Sequence, residues 1–449
     1  MAAKRKTKAP PVPQGRYLRR FTLENVRTFR SRVALDFCHD DGSVAQWTVI
    51  LGENGTGKTT LLQYLAGMMP IDILAPAPPH RRKPSYGPML AGLKWENWHA
   101  ANLPNDRISA VGINAQLDVS DLNGELRLAK ASSSGGIHLM WRFERKNDQV
   151  VFGGCGTWQQ HESDLSKEVR VFGYGATRHV ASAASPYISS ETFFQNGGND
   201  PTSTLFHDDY PLISPEQWFL GLDHASNLDG EAGKAARRAF ESAKRCLKSA
   251  LPGLDNVAVK PKHSGKGQPM MTLLCNTPFG EVPLSALSVG YRTMAAWLTD
   301  FIKRMHEAFP EMDEPDDGPA VVLIDEFDLH MHPTWQRKAM AALSREFPNT
   351  QFIVTAHSPL VVQAANQQRA KIVVLQRRRR GDGLEEVVIA DHPREAAGWR
   401  VDQILESFYG VSADSPRYEE LSRERVRLRQ KEKLRAAEKR RLAARRGGG

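Results

Sequence analysis

The stretch TVILGENGTGKTTLL, residues 48–62, constrains this chain more than any other. Apolar residues run into a glycine-rich turn, then into Lys58, Thr59, Thr60 and a second apolar run. That order reads as a buried strand, a tight loop and a helix. The spacing fits G-x-x-x-x-G-K-[ST] in full, with Gly52, Gly57, Lys58 and Thr59 in place. Glycines allow the backbone of Gly52, Asn54, Gly55 and Gly57 to curl with its N–H groups facing inward. The helix starting near Lys58 adds its positive dipole end, so the loop is built for an anion. Lys58 is expected to reach the β- and γ-phosphates of a nucleotide, and the Thr59 hydroxyl to hold Mg²⁺, with Thr60 in the same turn.

Residues 321–328, VVLIDEFD, supply a second half. Four apolar residues put Asp325 at a strand end, where a carboxylate can hold the magnesium's water shell opposite Thr59. Glu326 follows at once and is expected to polarise an attacking water, a role worth about 10²–10⁴-fold in rate. Paired with a phosphate loop, this pattern points to ATP hydrolysis rather than to binding alone. In VTAHSP, His357 ends another apolar strand and is expected to sense the γ-phosphate. In LSALSVGYRTM, Ser288 and Gly290 form a polar turn before a helix, which is a second place for an anion.

Composition narrows the class. The 449 residues suffice for two or three domains, or for one with large insertions. No apolar run approaches the ~20 residues that span a bilayer. The segment MAAKRKTKAPPVPQG is basic and proline-rich without a secretory apolar core, so a cytoplasmic protein is expected. Cys38, Cys155, Cys246 and Cys275 are scattered and read as reduced thiols. Charge is uneven: residues 1–16 carry five Lys/Arg and no acid, and residues 417–449 carry thirteen against five acids. The overall +9 therefore leaves the middle at −4. The C-terminal run RERVRLRQKEKLRAAEKRRLAARR is rich in helix formers, with acids interspersed for i,i+4 pairing. It is either a solubilising extension or a surface for nucleic acid or a partner.

The expected organisation is α/β: a P-loop NTPase core with an inserted antiparallel β segment and a helical insertion. Its divisions are a disordered basic tail at 1–16, the first part of the core at 17–106 and an inserted sheet at 107–180. A loop and helical insertion follow at 181–280, the second part of the core at 281–411, and a basic helical tail at 412–449. MPIDILAPAPPHRRKPSYGP reads as a proline-rich loop and residues 181–214 as a long surface loop. SPEQWFLGLDHAS and EAGKAARRAFESAKRCLKSAL read as helices, the first capped at its serine.

GENGTGKTTLL, GYGATR, LSVGYRTM, LIDEFDLHMHPTWQ and TAHSP together resemble the ABC-class ATPases related to RecF, OLD and Rad50 proteins. The match is closer to the compact bacterial group labelled AAA-15 or AAA-21, and covers about residues 17–411. That group includes ATPases of the Septu, retron and PARIS anti-phage systems, which sense infection and control a separate nuclease or toxin. The resemblance implies that ATP lies at an interface of a homodimer or higher homo-oligomer. Ser288 and Gly290 would then contact the γ-phosphate held by another subunit, and Asp328 would lie across that interface. Arg27 or Phe29, in NVRTF, would contact adenine. The chain departs from the pattern in reading Leu-Ser-Val-Gly-Tyr at the signature. GYGATR occupies the region of the usual glutamine, with Arg178 as a candidate there. His330 and His332 are spaced H-x-H, but the family places them at the start of a loop and helix rather than at a metal. No Asp-x-Asp follows His357, so the metal-binding pattern of an OLD-type nuclease is missing and the effector is expected on another protein. Three functions stay open: a defence ATPase controlling an effector, a RecF/Rad50-like DNA-repair ATPase binding DNA directly, and a transporter motor.

Overall fold

The computed structural model describes residues 15–24, 26–67, 70–73, 85–88, 113–122, 137–146, 149–156, 170–178, 180, 201–262, 270–379, 381, 383, 385–390 and 399–409. In chain order, β1 (Gly15–Glu24), β2 (Val33–Asp36) and β3 (Trp47–Gly52) precede α1 (Lys58–Gly67). Next come β4 (Pro70–Ile73), β5 (Ser85–Pro88), β6 (Ile113–Leu122), β7 (Ile137–Lys146), β8 (Gln149–Gly156) and β9 (Val171–Tyr174). Helices α2 (Pro215–Ser226) and α3 (Glu231–Ala250) lead to β10 (Asn256–Lys262), β11 (Met270–Thr277) and β12 (Gly280–Pro283). The last third holds α4 (Val289–Ala308), β13 (Ala320–Ile324), α5 (Pro333–Glu346), β14 (Thr350–Thr355) and α6 (Pro359–Gln367). It closes with β15 (Lys371–Arg379), β16 (Glu385–Ile389) and α7 (Val401–Tyr409).

The central sheet has the order β16-β15-β3-β14-β13-β9. Its neighbours run parallel except β16, which pairs antiparallel with β15. Every residue of β3, β13 and β14 is buried. That burial accounts for their continuous apolar runs, since parallel strands are covered on both faces. Trp47 on β3 stacks on Phe352 of β14, centroids 4.2 Å apart, and its indole N–H donates to Ser344 on α5 at 2.8 Å. The carboxyl ends of β3, β13 and β14 thus converge, which is where parallel sheets place their sites. This is the expected α/β core, with a parallel-dominated sheet behind the phosphate loop.

A second, antiparallel sheet has the order β2-β1-β6-β7-β8. The inserted strands β6 to β8 therefore extend a sheet that the amino-terminal strands begin. Gln351 fastens β1 to the core: its amide donates to Leu18 O at 2.8 Å, and its oxygen accepts from Leu18 N at 2.9 Å. On α3 the residues Ala236, Ala239, Ala243, Cys246, Leu247 and Ala250 recur at helical spacing and are buried. Ser214 caps α2 by accepting from Gln217 N, as its sequence implies. Among the described residues no helix is long and apolar enough to cross a membrane.

Several expected boundaries move. The proline-rich stretch after α1 contains the β4–β5 hairpin. Val171–Tyr174 is an edge strand of the central sheet, parallel to β13, so the inserted sheet does not extend to 180. Thr202–Leu205 is buried and packs on β9 rather than forming surface loop. The 181–280 insertion is not wholly loop and helix, because β10, β11 and β12 make a three-stranded antiparallel sheet reaching past it. The chain divides into two units, 1–397 and 398–449, and α7 lies in the second. GELRLAK, residues 1–14, residues 181–200 and the C-terminal tail from 410 lie outside the described residues.

Candidate active site

Gly55 and Gly57 carry φ of +78° and +87°, the left-handed region that glycine enters freely. Gly57 has a steric reason as well: a Cβ there would meet Thr28 Oγ1 at 2.7 Å and the Phe29 ring at 2.8 Å. Phe29 is itself fully buried, which leaves Arg27 as the member of that pair facing the cleft. The Lys58 ammonium folds back beneath the loop and donates to Gly52 O at 2.8 Å and Glu53 O at 2.9 Å. Burial pushes its pKa down, while Asp325, Glu326 and Asp328 push it up. Arg27 donates to the Thr60 hydroxyl at 3.0 Å.

A chain of hydrogen bonds joins the phosphate loop to the end of β13. Thr59 Oγ1 donates to Asp325 Oδ2 at 2.6 Å, and Thr355 Oγ1 donates to Asp325 Oδ1 at 2.5 Å. Thr355 Oγ1 also accepts from Glu326 N at 2.7 Å. Glu326 sits at φ +47°, a conformation costing a residue with a side chain about 1–3 kcal/mol. Among the described residues, four of the five non-glycine residues with positive φ, Arg27, Arg178, Glu326 and His330, lie in or next to this region. Such strain concentrates where a site over-determines its backbone. Thr355 is the residue that sequence reading missed here. Its only signal was a hydroxyl at the end of an otherwise apolar strand. Thr355→Val should leave the Glu326 amide without its acceptor and lower unfolding free energy by about 1–3 kcal/mol. Denaturant titration checks this, and an unchanged midpoint contradicts it.

After the turn, the Asp328 carboxylate accepts from His357 N at 3.1 and 3.2 Å. His357 itself joins Lys58, Thr59, Asp325, Glu326 and Arg27 around a cleft of about 260 Å³, whose phosphate-loop wall is Asn54, Gly55, Gly57 and Thr60. Cationic and backbone donors on one wall and carboxylates on the other suit a polyphosphate with a divalent cation. Thr59 and Asp325 could hold the cation, and Lys58 with the loop N–H groups the phosphates.

Ser288 and Gly290 do not line this cleft among the described residues. Ser288 is exposed at the start of α4, and its side chain makes no capping bond to it. Gly290 is required by packing: a Cβ there would lie 2.3 Å from His330 O. Tyr291 meets Trp335 of α5 edge to face at 4.3 Å. His332 caps α5, its ring nitrogen accepting from Thr334 N at 3.3 Å. Arg178 is buried beneath the Asp325-Glu326 turn, and burial lowers its pKa to about 10 against the opposing pull of Asp325, Asp328 and Glu326.

Residues 192–363, which hold Ser288, Asp325, Glu326 and His357, match the AAA_21 model, described as an AAA domain, putative AbiEii toxin, of a type IV toxin–antitoxin system. Over those residues the chain is similar to the AAA_21 group. It is 25% identical over 384 residues to Septu protein PtuA of Bacillus thuringiensis, covering 82% of this chain and 80% of that protein. Septu protein PtuA of Bacillus mycoides is 22% identical over 90% of this chain, which spans 46% of that relative. Retron Vc95 probable ATPase of Vibrio cholerae is 39% identical over 103 residues, 23% of this chain and 20% of that protein. The chain thus spans less than half the length of these last two relatives. Among solved structures, an SMC head bound to the C-winged helix domain of ScpA aligns at TM-score 0.45 and 15% identity, over 84% of this chain and 98% of that one. The AAA-21 relationship and its defence-associated ATPase relatives agree with the resemblance read from the motifs.

Proposed function

We propose that this chain binds and hydrolyses ATP with Mg²⁺ in the cytoplasm as part of a bacterial anti-phage defence system, controlling a separate effector nuclease or toxin. The observation that carries the ATPase reading is the hydrogen-bonded chain Thr59–Asp325–Thr355–Glu326 beside Lys58. In this reading Thr59 and Asp325 hold Mg²⁺, Lys58 the terminal phosphates, and Glu326 the attacking water. His357 would sense the γ-phosphate. Ser288 and Gly290 stand outside their own chain's cleft, so they would complete the cleft of a second copy. Asp328 would contribute through the backbone of His357. The defence role is supported by the similarity to Septu protein PtuA, which extends over most of the chain.

The test is a phage challenge of cells carrying the gene with its neighbours. Wild type is expected to reduce plaque formation and Glu326→Gln to abolish that protection. Equal plaque counts, together with sensitivity to DNA damage when the gene is deleted, would support the RecF/Rad50-like alternative instead.

A further inference from the structure

Strand β13 and its neighbour β9 part company at the hydrolytic turn. The last bond between them is Asp325 N to Tyr174 O at 2.8 Å. Beyond it the β13 chain swings into the strained Glu326 turn, and Phe327 N is next taken up by Thr355 O at 2.8 Å on the other side. The amide side of the turn is therefore held by β14. On the β9 side stand the carbonyls of Asp325 and Glu326, and one guanidinium nitrogen meets both. Arg178 Nη2 donates to Asp325 O at 2.5 Å and to Glu326 O at 2.7 Å. Its Nε donates to Gly175 O at 3.2 Å, which fixes the plane of the group.

The cost of this arrangement argues that it has a use. Arg178 is 2% exposed and is held at φ +38°. Burying a cation and bending its backbone each oppose folding unless the surroundings repay them. The loop that delivers it is built for close approach: a Cβ on Gly175 would lie 2.0 Å from Thr204 O. Thr204 then closes that loop, accepting from Gly175 N at 3.2 Å and donating to Gly173 O at 2.8 Å.

We propose that Arg178 is a positioning residue for hydrolysis, bracing the Asp325 and Glu326 carbonyls so that the Glu326 carboxylate is presented to the water. This rests on the ATPase reading above. Arg178 touches neither nucleotide nor water; it acts through the turn. A water-positioning group displaced by about 1 Å can lose on the order of 10²-fold in rate, whereas phosphate binding by Lys58 and the loop does not pass through this turn. Removing the guanidinium should therefore lower kcat and leave the KM for ATP near wild type.

The experiment compares wild type, Arg178→Lys and Arg178→Ala, each first checked for a cooperative melt. Arg178→Ala should lose on the order of 10²-fold in kcat, and added guanidinium should restore part of it, since the missing donor set is then resupplied. Arg178→Lys supplies a shorter donor set and should fall between. Hydrogen exchange without nucleotide gives the second readout. The amide of Phe327 should exchange faster in Arg178→Lys while those of Val321–Leu323 keep their protection. Wild-type kcat in folded variants, a loss confined to KM, or unchanged exchange at Phe327 would each overturn the proposal. If Arg178→Ala does not fold, Arg178→Lys carries both readouts. Absence of nucleotide binding and turnover in wild type would instead sink the ATPase reading, and the exchange comparison would still decide whether Arg178 braces the turn.

Discussion

Glu326→Gln should bind ATP about as wild type does and turn it over about 10²–10⁴-fold more slowly. The substitution is nearly isosteric and keeps the backbone N–H that Thr355 accepts and the carbonyl that Arg178 holds. Asp325 keeps both its hydroxyl partners, Thr59 and Thr355, so the cation position is undisturbed. What is lost is the carboxylate's ability to take or orient a water proton. Steady-state phosphate release and a nucleotide titration measure the two halves separately. Turnover at the wild-type rate would remove Glu326 from the mechanism.

Lys58→Ala should fail earlier, at binding. The ammonium donates to the loop carbonyls of Gly52 and Glu53, and Asp325, Glu326 and Asp328 act on it. Without it, a triphosphate would enter a cleft whose carboxylates are less well balanced. Each lost hydrogen bond to a charged group costs about 1.5–3 kcal/mol, so affinity should fall on the order of 10–100-fold. The opposite signatures of the two variants, binding retained in one and lost in the other, separate the phosphate wall from the hydrolytic turn. Titration with a fluorescent nucleotide reads this directly, and equal affinity in Lys58→Ala would contradict it.

The parts of the site that were legible in the sequence are those set by short-range chemistry. Gly55, Gly57 and Lys58 sit in one turn, and each residue type has one job there. Asp325 and Glu326 follow a buried strand whose apolar run announces it. The parts that were not legible depend on pairings across the chain. Val171–Tyr174 is a four-residue strand whose partner in β13 lies far along the sequence, and its short run looked like the end of the preceding antiparallel strands. Nothing local marks Arg178 as buried, since arginine is seldom found inside unless its N–H groups meet specific acceptors. Phe29 and Arg27 are two residues apart in one motif, and packing in the core, against Gly57 among others, decides which of them is hidden. The β10–β12 sheet was masked by the strong helical periodicity of α2 and α3 just before it.

The central claim is that ATP is hydrolysed in a cleft that a second copy of the chain completes. Its most direct measurement is phosphate release by Lys58→Ala and Ser288→Arg chains, assayed separately and then after mixing and re-equilibration. At ATP near the wild-type KM each variant alone should turn over far more slowly than wild type, because every cleft lacks either its lysine or its partner's serine turn. In a mixed pair one cleft combines the intact Lys58 of one chain with the intact Ser288 of the other. Random pairing across a two-fold interface should therefore restore about a quarter of wild-type turnover. No recovery on mixing, or full activity in Ser288→Arg alone, would contradict a shared site.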